Sequence, residues 1–272
     1  MSTDALPSSP GTPELSALAQ ALSALKLDRA ADALPALLSA AVSDDLGGPA
    51  FLQRVLAMEL TAREESRLKT SLKLSGVPLG QTISNFDFAF QPAIERSRIE
   101  SLATCSWVRE KKTTLLLGPP GVGKTHIAIG LGIRALQGGH RVYFLSAHDL
   151  LDQIRAAQLD GIPGHKQRHL NNVPLLIIDE LGYVEFDKSA ATWLFQLICQ
   201  RYEHRSTVIT SNKNFADWGQ IFTDTTLAGA LLDRLLHHSH VLNLKGESYR
   251  MRAKARGTTT VQRKSGHQVG PP

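Results

Sequence analysis

The sequence predicts an α/β fold, a parallel sheet flanked by helices, with a small all-α domain ahead of it. Three observations predict this. From Thr113 onward short apolar runs alternate with helix-patterned segments, the arrangement of a parallel sheet covered on both faces. A glycine-rich loop, Gly118 to Thr125, separates the first of these runs from the helical stretch that follows. Before Thr113, leucines recur at three- and four-residue steps, the spacing of amphipathic helices.

Residues 1–12, with Ser8, Ser9, Pro10 and Gly11, read as a flexible end. Glu14 to Lys26 carries Leu15, Leu18, Leu22 and Leu25 at helical spacing. Ala30 to Ser39 is rich in alanine and leucine, and Phe51 to Leu74 continues with Leu52, Val55, Leu56, Leu60 and Leu68. Gly47-Gly48-Pro49 reads as a loop between them. Residues 13–78 therefore form a helical N-terminal domain ending near Gly76-Val77-Pro78. Its last helix mixes Arg63, Glu64, Glu65, Arg67, Lys69 and Lys73, a solvated face that could also contact DNA phosphates or another protein.

Residues 79–92 form a linker in which Phe86, Phe88 and Phe90 alternate. Packing onto the following domain is preferred to base stacking. Ala93 to Arg109 looks helical. Thr114–Leu117, Arg141–Leu145, Leu175–Ile178, Thr207–Thr210 and Val241–Leu244 read as strands with helices between, in a domain spanning 93–250. No internal repeat or heptad run is evident.

Of the 30 Lys and Arg residues against 25 Asp and Glu, seven lie from Lys245 onward with Glu247 as the one acid there. The tail at 251–272 is thus basic, either a solvated end or an attraction to nucleic-acid phosphates that needs no sequence specificity. No apolar run approaches the roughly 18 to 20 residues that cross a bilayer. Met1-Ser2-Thr3-Asp4 lacks a basic stretch followed by an apolar one, so no membrane partner and a cytoplasmic location are expected. Cys105 and Cys199 are far apart, each in a helix-like segment, which suits reduced buried thiols and no structural metal.

The loop Gly118-Pro119-Pro120-Gly121-Val122-Gly123-Lys124-Thr125 matches G-x-x-x-x-G-K-[ST], a P-loop that cradles the phosphates of a nucleoside triphosphate. Backbone N–H groups and the dipole of the following helix, which opens with His126, point positive potential at one spot. Lys124 reaches the β- and γ-phosphates and the Thr125 hydroxyl ligates Mg²⁺; Gly118 to His126 are the candidate contacts for ATP. Leu175-Leu176-Ile177-Ile178-Asp179-Glu180 is a buried strand ending in two carboxylates, at the strand end where open α/β sheets place ligands. Asp179 would hold Mg²⁺, and Glu180 would polarise the attacking water. After Thr207-Val208-Ile209-Thr210 comes Ser211-Asn212-Lys213; if that strand lies between the other two, Asn212 is a candidate sensor of hydrolysis.

Leu231-Leu232-Asp233-Arg234-Leu235-Leu236 lies in a helical segment, Leu227 to His238. Arg234 is either an intrahelical partner of Asp233 or an arginine finger delivered to a neighbouring subunit's γ-phosphate, which requires a homo-oligomer. His237, His238 and His240 lack a carboxylate or cysteine at metal-site spacing and read as surface or packing histidines. No Ser/His/Asp or Cys/His nucleophile arrangement stands out.

These residues resemble the IstB-type ATP-binding helper proteins of insertion sequences, relatives of the DnaC and DnaI helicase loaders among the AAA+ ATPases. The resemblance is carried by the helical stretch Glu59 to Leu74, Phe86-Asp87-Phe88, the Gly118 to Thr125 loop, Leu175 to Gly182, and Arg205 to Ser211. It is carried most specifically by Leu232-Asp233-Arg234-Leu235 through Leu244-Lys245-Gly246-Glu247-Ser248-Tyr249-Arg250. It implies a P-loop AAA+ ATPase that oligomerises on duplex DNA, deforms it, hydrolyses ATP with Mg²⁺, and targets or stimulates a partner transposase. By position it implies Lys124, Thr125, Asp179, Glu180, Asn212 and Arg234 as the hydrolysis set. Arg250 stands where a second sensor is implied, although the chain after it is short and polar for a full lid of helices. Family members often carry Asp where this chain has Glu180.

Two other readings stay open on sequence. A DnaC-like replicative helicase loader shares the same core but prefers single-stranded DNA. A P-loop kinase acting on a small molecule needs neither Arg234 nor DNA.

Overall fold

The computed structural model describes residues 12–160, 163–222, 224–249 and 251. The expected flexible end up to residue 11, Arg250 and the basic tail from 252 lie outside the described residues. The chain divides into two compact units, one up to Thr70 and one from Ser71.

In the first unit, α1 (Thr12–Ala24), α2 (Asp28–Ser43) and most of α3 (Gly48–Ser75) pack together. Ala30, Leu37 and Val55 form the buried centre, flanked by Leu22, Leu27 and Phe51. No side chain of the residue preceding α2 caps its first turn. Instead the buried Glu59 carboxylate accepts the Ala30 N–H at 3.3 Å. Arg63 holds Glu59 from one turn further along α3 at 3.2 Å and donates to the Lys26 carbonyl at 2.7 Å. Gly48 and Pro49 are not loop, as expected, but the first residues of α3. The fixed φ of proline suits the first helical turn, and the N–H it lacks would be unpaired there anyway.

The second unit is built on a five-stranded, all-parallel sheet of order β2-β3-β4-β1-β5, with β1 at Thr113–Leu117, β2 at Val142–Ser146, β3 at Leu175–Leu181, β4 at Ser206–Ser211 and β5 at Ser239–Asn243. The segment expected as one helix over 93–109 is two, α4 (Arg96–Ala103) and α5 (Ser106–Arg109). Cys105, at φ 58°, turns the chain between them so that the Trp107 Nε1–H can donate to the Leu102 carbonyl at 2.8 Å. Burial pushes the Cys105 thiol up to about 11, so it stays an unreactive core residue.

The remaining helices are α6 (Lys124–Gln137), α7 (Ala147–Leu159), α8 (Pro163–Asn172), α9 (Lys188–Arg201), α10 (Gly219–Phe222) and α11 (Thr225–His237). Strand alternation divides the apolar residues between two faces. Leu115, Leu117, Leu176, Ile178 and Ile209 join the core made with α7, α9, α10 and α11. On the other face α6 lies so close that a Cβ on Gly132 would stand 2.8 Å from Ile177 Cδ1. Helices thus cover both faces of the parallel sheet, a three-layer α/β/α unit.

Arg201, at the end of α9, is almost wholly buried and has no carboxylate partner among the described residues. It donates to the carbonyls of Leu170, Val173 and Ser206 and to the Thr207 hydroxyl, tying α8 and α9 to the start of β4. Burial lowers its pKa to about 9. Among the described residues no helix is long and apolar enough to cross a membrane.

Candidate nucleotide site

β4 lies between β3 and β1, the condition on which Asn212 was expected to approach the site. The C-terminal ends of these three strands converge: Leu117 pairs with Ser211, and the Gly118 N–H donates to the Ser211 carbonyl at 3.2 Å. The loop after β1 then wraps the start of α6. Gly118, Gly121 and Gly123 have φ of 143°, 83° and 99°, a region that L side chains rarely adopt. Close approach also excludes a side chain. A Cβ at Gly118 would stand 2.1 Å from the Leu244 carbonyl oxygen, one at Gly121 2.1 Å from Ser248 Oγ, and one at Gly123 2.6 Å from Phe86 Cε2.

Lys124 is buried and its ammonium donates to the carbonyls of Gly118 and Pro119 at 2.6 and 2.8 Å. Its charge therefore sits at the centre of the loop, where the first N–H groups of α6 also point. Thr125 Oγ1 donates to Asp179 Oδ1 at 3.0 Å, and Thr210 Oγ1 donates to the same oxygen at 2.5 Å. Burial raises the Asp179 pKa, against the opposing pull of Thr210, Thr125 and Lys124.

Strand β3 gains one residue on β4 between Ile178 and Leu181, a β-bulge that re-aims side chains. Glu180 occupies it at φ 63°, and its N–H donates to Thr210 Oγ1 at 2.8 Å rather than to a ladder carbonyl. The bulge lets two successive carboxylates serve one site: Asp179 is buried against the hydroxyls, while Glu180 lines the open cavity above.

That cavity, of about 340 Å³, lies between the loop and the 79–92 segment, large enough to hold part of a nucleotide. Phe90 and Tyr249 line it and meet edge to face at 5.2 Å. Phe86 and Phe90 of the aromatic linker both line the cavity, and Phe86 also packs against Gly123 and, edge-on at 5.2 Å, against His126. His126 also lines the cavity, with Nε2 2.9 Å from both the Thr82 carbonyl and Asn85 Oδ1.

Asn212 follows β4 beside Gly182, whose φ of 114° and missing side chain leave room for the amide. A Cβ there would be 2.7 Å from Asn212 Oδ1, which is buried and has no hydrogen-bond partner among the described residues. Arg234, on α11, is not among the residues lining the cavity. Its guanidinium lies 5.1 Å from the centre of the Phe195 ring and donates to the Ala230 carbonyl at 3.0 Å.

Sequence reasoning missed three parts of this site. Thr210 was read only as strand. The Lys245–Tyr249 stretch was read as a family mark, yet it is seated on the loop: the Leu244 N–H donates to Leu117 and the Tyr249 N–H to the Gly121 carbonyl, at 2.7 and 3.0 Å. Buried Gln91 clasps that stretch to the linker through Nε2 and the Glu247 carbonyl at 2.8 Å. The glycines of Lys-Gly-Glu-Ser and of the loop were the available signal, since Gly246 at φ 144° also abuts Gln91.

The donor set fits a hard divalent ion such as Mg²⁺: one hydroxyl and one carboxylate, both oxygen, already hydrogen-bonded to each other. Burial leaves that carboxylate's charge poorly solvated, so a cation there would offset a cost the protein already bears.

The profile of the family described as IstB-like ATP binding protein matches residues 20–257. The chain is 48% identical over 204 residues to the insertion sequence IS5376 putative ATP-binding protein of Geobacillus stearothermophilus, covering 75% of this chain and 81% of that one. It is 41% identical over 233 residues to the IS21 putative ATP-binding protein of Pseudomonas aeruginosa, covering 86% and 88%. Among solved structures it resembles the DnaC helicase loader, with a TM-score of 0.52 at 22% identity over 61% of this chain and 97% of that chain. It also resembles AMPPCP-bound DnaA from Aquifex aeolicus, with a TM-score of 0.54 at 15% identity over 68% and 56%. These two likenesses are of fold alone, a parallel sheet flanked by helices.

Proposed function

The chain belongs to the IstB-like ATP binding protein family, and we propose that it is an ATPase that assembles on duplex DNA and stimulates or targets a partner transposase. The observation that carries the ATPase reading is the cluster Thr125, Asp179 and Thr210 at the foot of the glycine loop, with Glu180 beside it on the bulge. A site that only held phosphate would need the loop and Lys124 alone. This one also supplies a metal-type carboxylate and a second carboxylate facing the cavity.

In this reading Lys124 exchanges its loop carbonyls for the β- and γ-phosphate oxygens, and the N–H groups of the loop and α6 hold the rest of the chain of phosphates. Thr125 and Asp179 hold Mg²⁺, which when bound neutralises charge on the β- and γ-phosphates. Glu180 orients a water and draws its proton. Asn212 is the sensor of the γ-phosphate. Arg234, over the Phe195 ring and not among the residues lining its own cavity, serves the site of a neighbouring copy, and nucleotide binding thereby favours the homo-oligomer. His126 and Tyr249 shape the nucleoside end of the cavity, and Arg250 is assigned the second-sensor role through the resemblance alone.

The names of the relatives, ATP-binding proteins of insertion sequences, support the transposition setting. The test is ATP hydrolysis by the full chain with no DNA, with duplex and with single strands, alongside Lys124→Ala. Stimulation by duplex and loss of nucleotide binding in the variant are expected. Stimulation by single strands alone would favour a helicase loader instead, and unaltered ATP affinity in Lys124→Ala would refute the loop assignment.

A further inference from the structure

Two of the three clustered histidines find a carboxylate that sequence spacing did not offer. His240 goes elsewhere: it lies on β5 paired with Thr114, and burial, then Lys112 and Arg98, lower its pKa. His237 ends α11 and His238 follows it, with ring centres 4.2 Å apart. Glu203 arrives from the turn after α9, where it takes a left-handed φ of 59°. One ligand atom from each of Glu203, His237 and His238 lies within 4.8 Å of the others, and all three side chains are exposed. Glu203 Oε1 is 3.5 Å from His238 Nε2.

The Tyr202 hydroxyl is 2.5 Å from His237 Nδ1. When Nδ1–H donates to that oxygen, Nε2 carries the lone pair a metal needs, and a partner on the far ring nitrogen is the usual way an imidazole ligand is oriented. We propose that Glu203, His237 and His238 form a binding site for a divalent transition ion of the zinc class, oriented by Tyr202.

The chemistry selects the ion. Two imidazole nitrogens and one carboxylate oxygen suit zinc-like cations, whereas Mg²⁺ and Ca²⁺ take oxygen ligands. Three protein ligands leave a fourth position for water. Exposure lets the ion enter from solvent, and it also makes the site an adaptable clip rather than a folding nucleus. The clip spans two helices: Glu203 belongs to the turn after α9, and the histidines to the end of α11. Arg234 lies one turn before His237 on α11 and stacks on Phe195 of α9, so an ion here braces the helix pair that carries Arg234.

The probe is Zn²⁺ alone, titrated calorimetrically into the untagged full chain after chelation and without nucleotide, with Co²⁺ absorption reporting the ligand field. Nothing in this test depends on the ATPase reading. One saturable equivalent per chain is expected, with a thermal midpoint that rises with Zn²⁺. Glu203→Gln weakens binding, His237→Ala with His238→Ala abolishes it, and Tyr202→Phe costs about tenfold in affinity. Because Glu203, His237 and His238 are exposed and Tyr202 is half-buried with its hydroxyl at the surface, the chelated variants keep a midpoint close to that of the wild type. The proposal is overturned if no saturable equivalent binds, or if the double histidine variant binds Zn²⁺ as the wild type does.

Discussion

The Thr210 hydroxyl donates to Asp179 Oδ1 at 2.5 Å while accepting the N–H of Glu180 at 2.8 Å. One small side chain on β4 therefore orients the metal-type carboxylate and closes the bulge that carries the second carboxylate. Without a hydroxyl there, the bulged N–H has no acceptor and Asp179 loses one of its two hydroxyl donors.

Thr210→Val keeps the volume and removes both hydrogen bonds. Leaving this part-buried N–H unpaired costs at most about 1–3 kcal/mol, so the thermal midpoint falls by a few degrees while the fold persists. Hydrolysis falls further, because Glu180 is no longer held at the cavity. Thr210→Ser restores most of kcat. Equal hydrolysis in the Val and wild-type proteins would remove Thr210 from the site.

Asp179→Asn separates stability from activity. The Asp179 pKa is raised above its unfolded value by burial. Its contribution to stability is therefore fully present below the unfolded pKa, near 3.8, and is lost as pH rises through the raised folded value. At neutral pH the buried charge is a net cost in the nucleotide-free chain. Asparagine keeps an oxygen that can accept from Thr125 and Thr210 and carries no charge. Thermal midpoints measured without nucleotide from below pH 4 up to pH 8 should fall less steeply for the variant and be higher at the upper end, and hydrolysis should be lost. A variant less stable than wild type at pH 8 contradicts this account.

The two units were legible to different degrees, for physical reasons. The loop, the strand ending in Asp179-Glu180 and the strand before Asn212 are contiguous patterns, so local spacing was enough to find them. Gly48-Pro49 misled because the same residues that break a helix interior also suit its first turn. Thr210 could not be singled out, because its role exists only once β4 is slotted between β3 and β1. The same holds for Gln91 and Glu247, which meet across most of the chain, and for Glu203 beside His238. Contacts of that kind are set by topology, and no window of sequence contains both partners.

Gly121→Ala tests whether the Lys245–Tyr249 stretch is part of the nucleotide site. The new methyl group would stand 2.1 Å from Ser248 Oγ and 2.9 Å from its Cβ, at a φ of 83°. Something must move: either the stretch lifts off the loop or the loop changes shape. A titration with a fluorescent ATP analogue should show at least about tenfold weaker binding, about 1.4 kcal/mol. Adding Ser248→Gly removes the two closest contacts, leaving the Cα of residue 248 at 3.2 Å, and recovers some affinity, while the backbone strain of about 1–2 kcal/mol stays. Full affinity in Gly121→Ala alone would mean that the stretch is not seated on the loop in solution.

Arg234 poses the question of whether one molecule is enough. Its guanidinium is committed to the Phe195 ring and the Ala230 carbonyl and is not among the groups lining its own cavity, so any effect on hydrolysis must pass through another copy or through α11. The two routes differ in a mixing experiment. Arg234→Ala retains a complete loop, and Lys124→Ala retains a complete Arg234. If Arg234 acts on a neighbour's phosphate, each homogeneous variant hydrolyses ATP slowly, by about 10³-fold for the loss of such an arginine. A mixture then regains activity at interfaces that pair one intact loop with one intact arginine. Arg234→Lys should not substitute, because an ammonium lacks the planar fork that spans two phosphate oxygens. If Arg234 only braces α11 against α9, the thermal midpoint of Arg234→Ala drops, lysine partly rescues it through its aliphatic stem, and mixing recovers nothing.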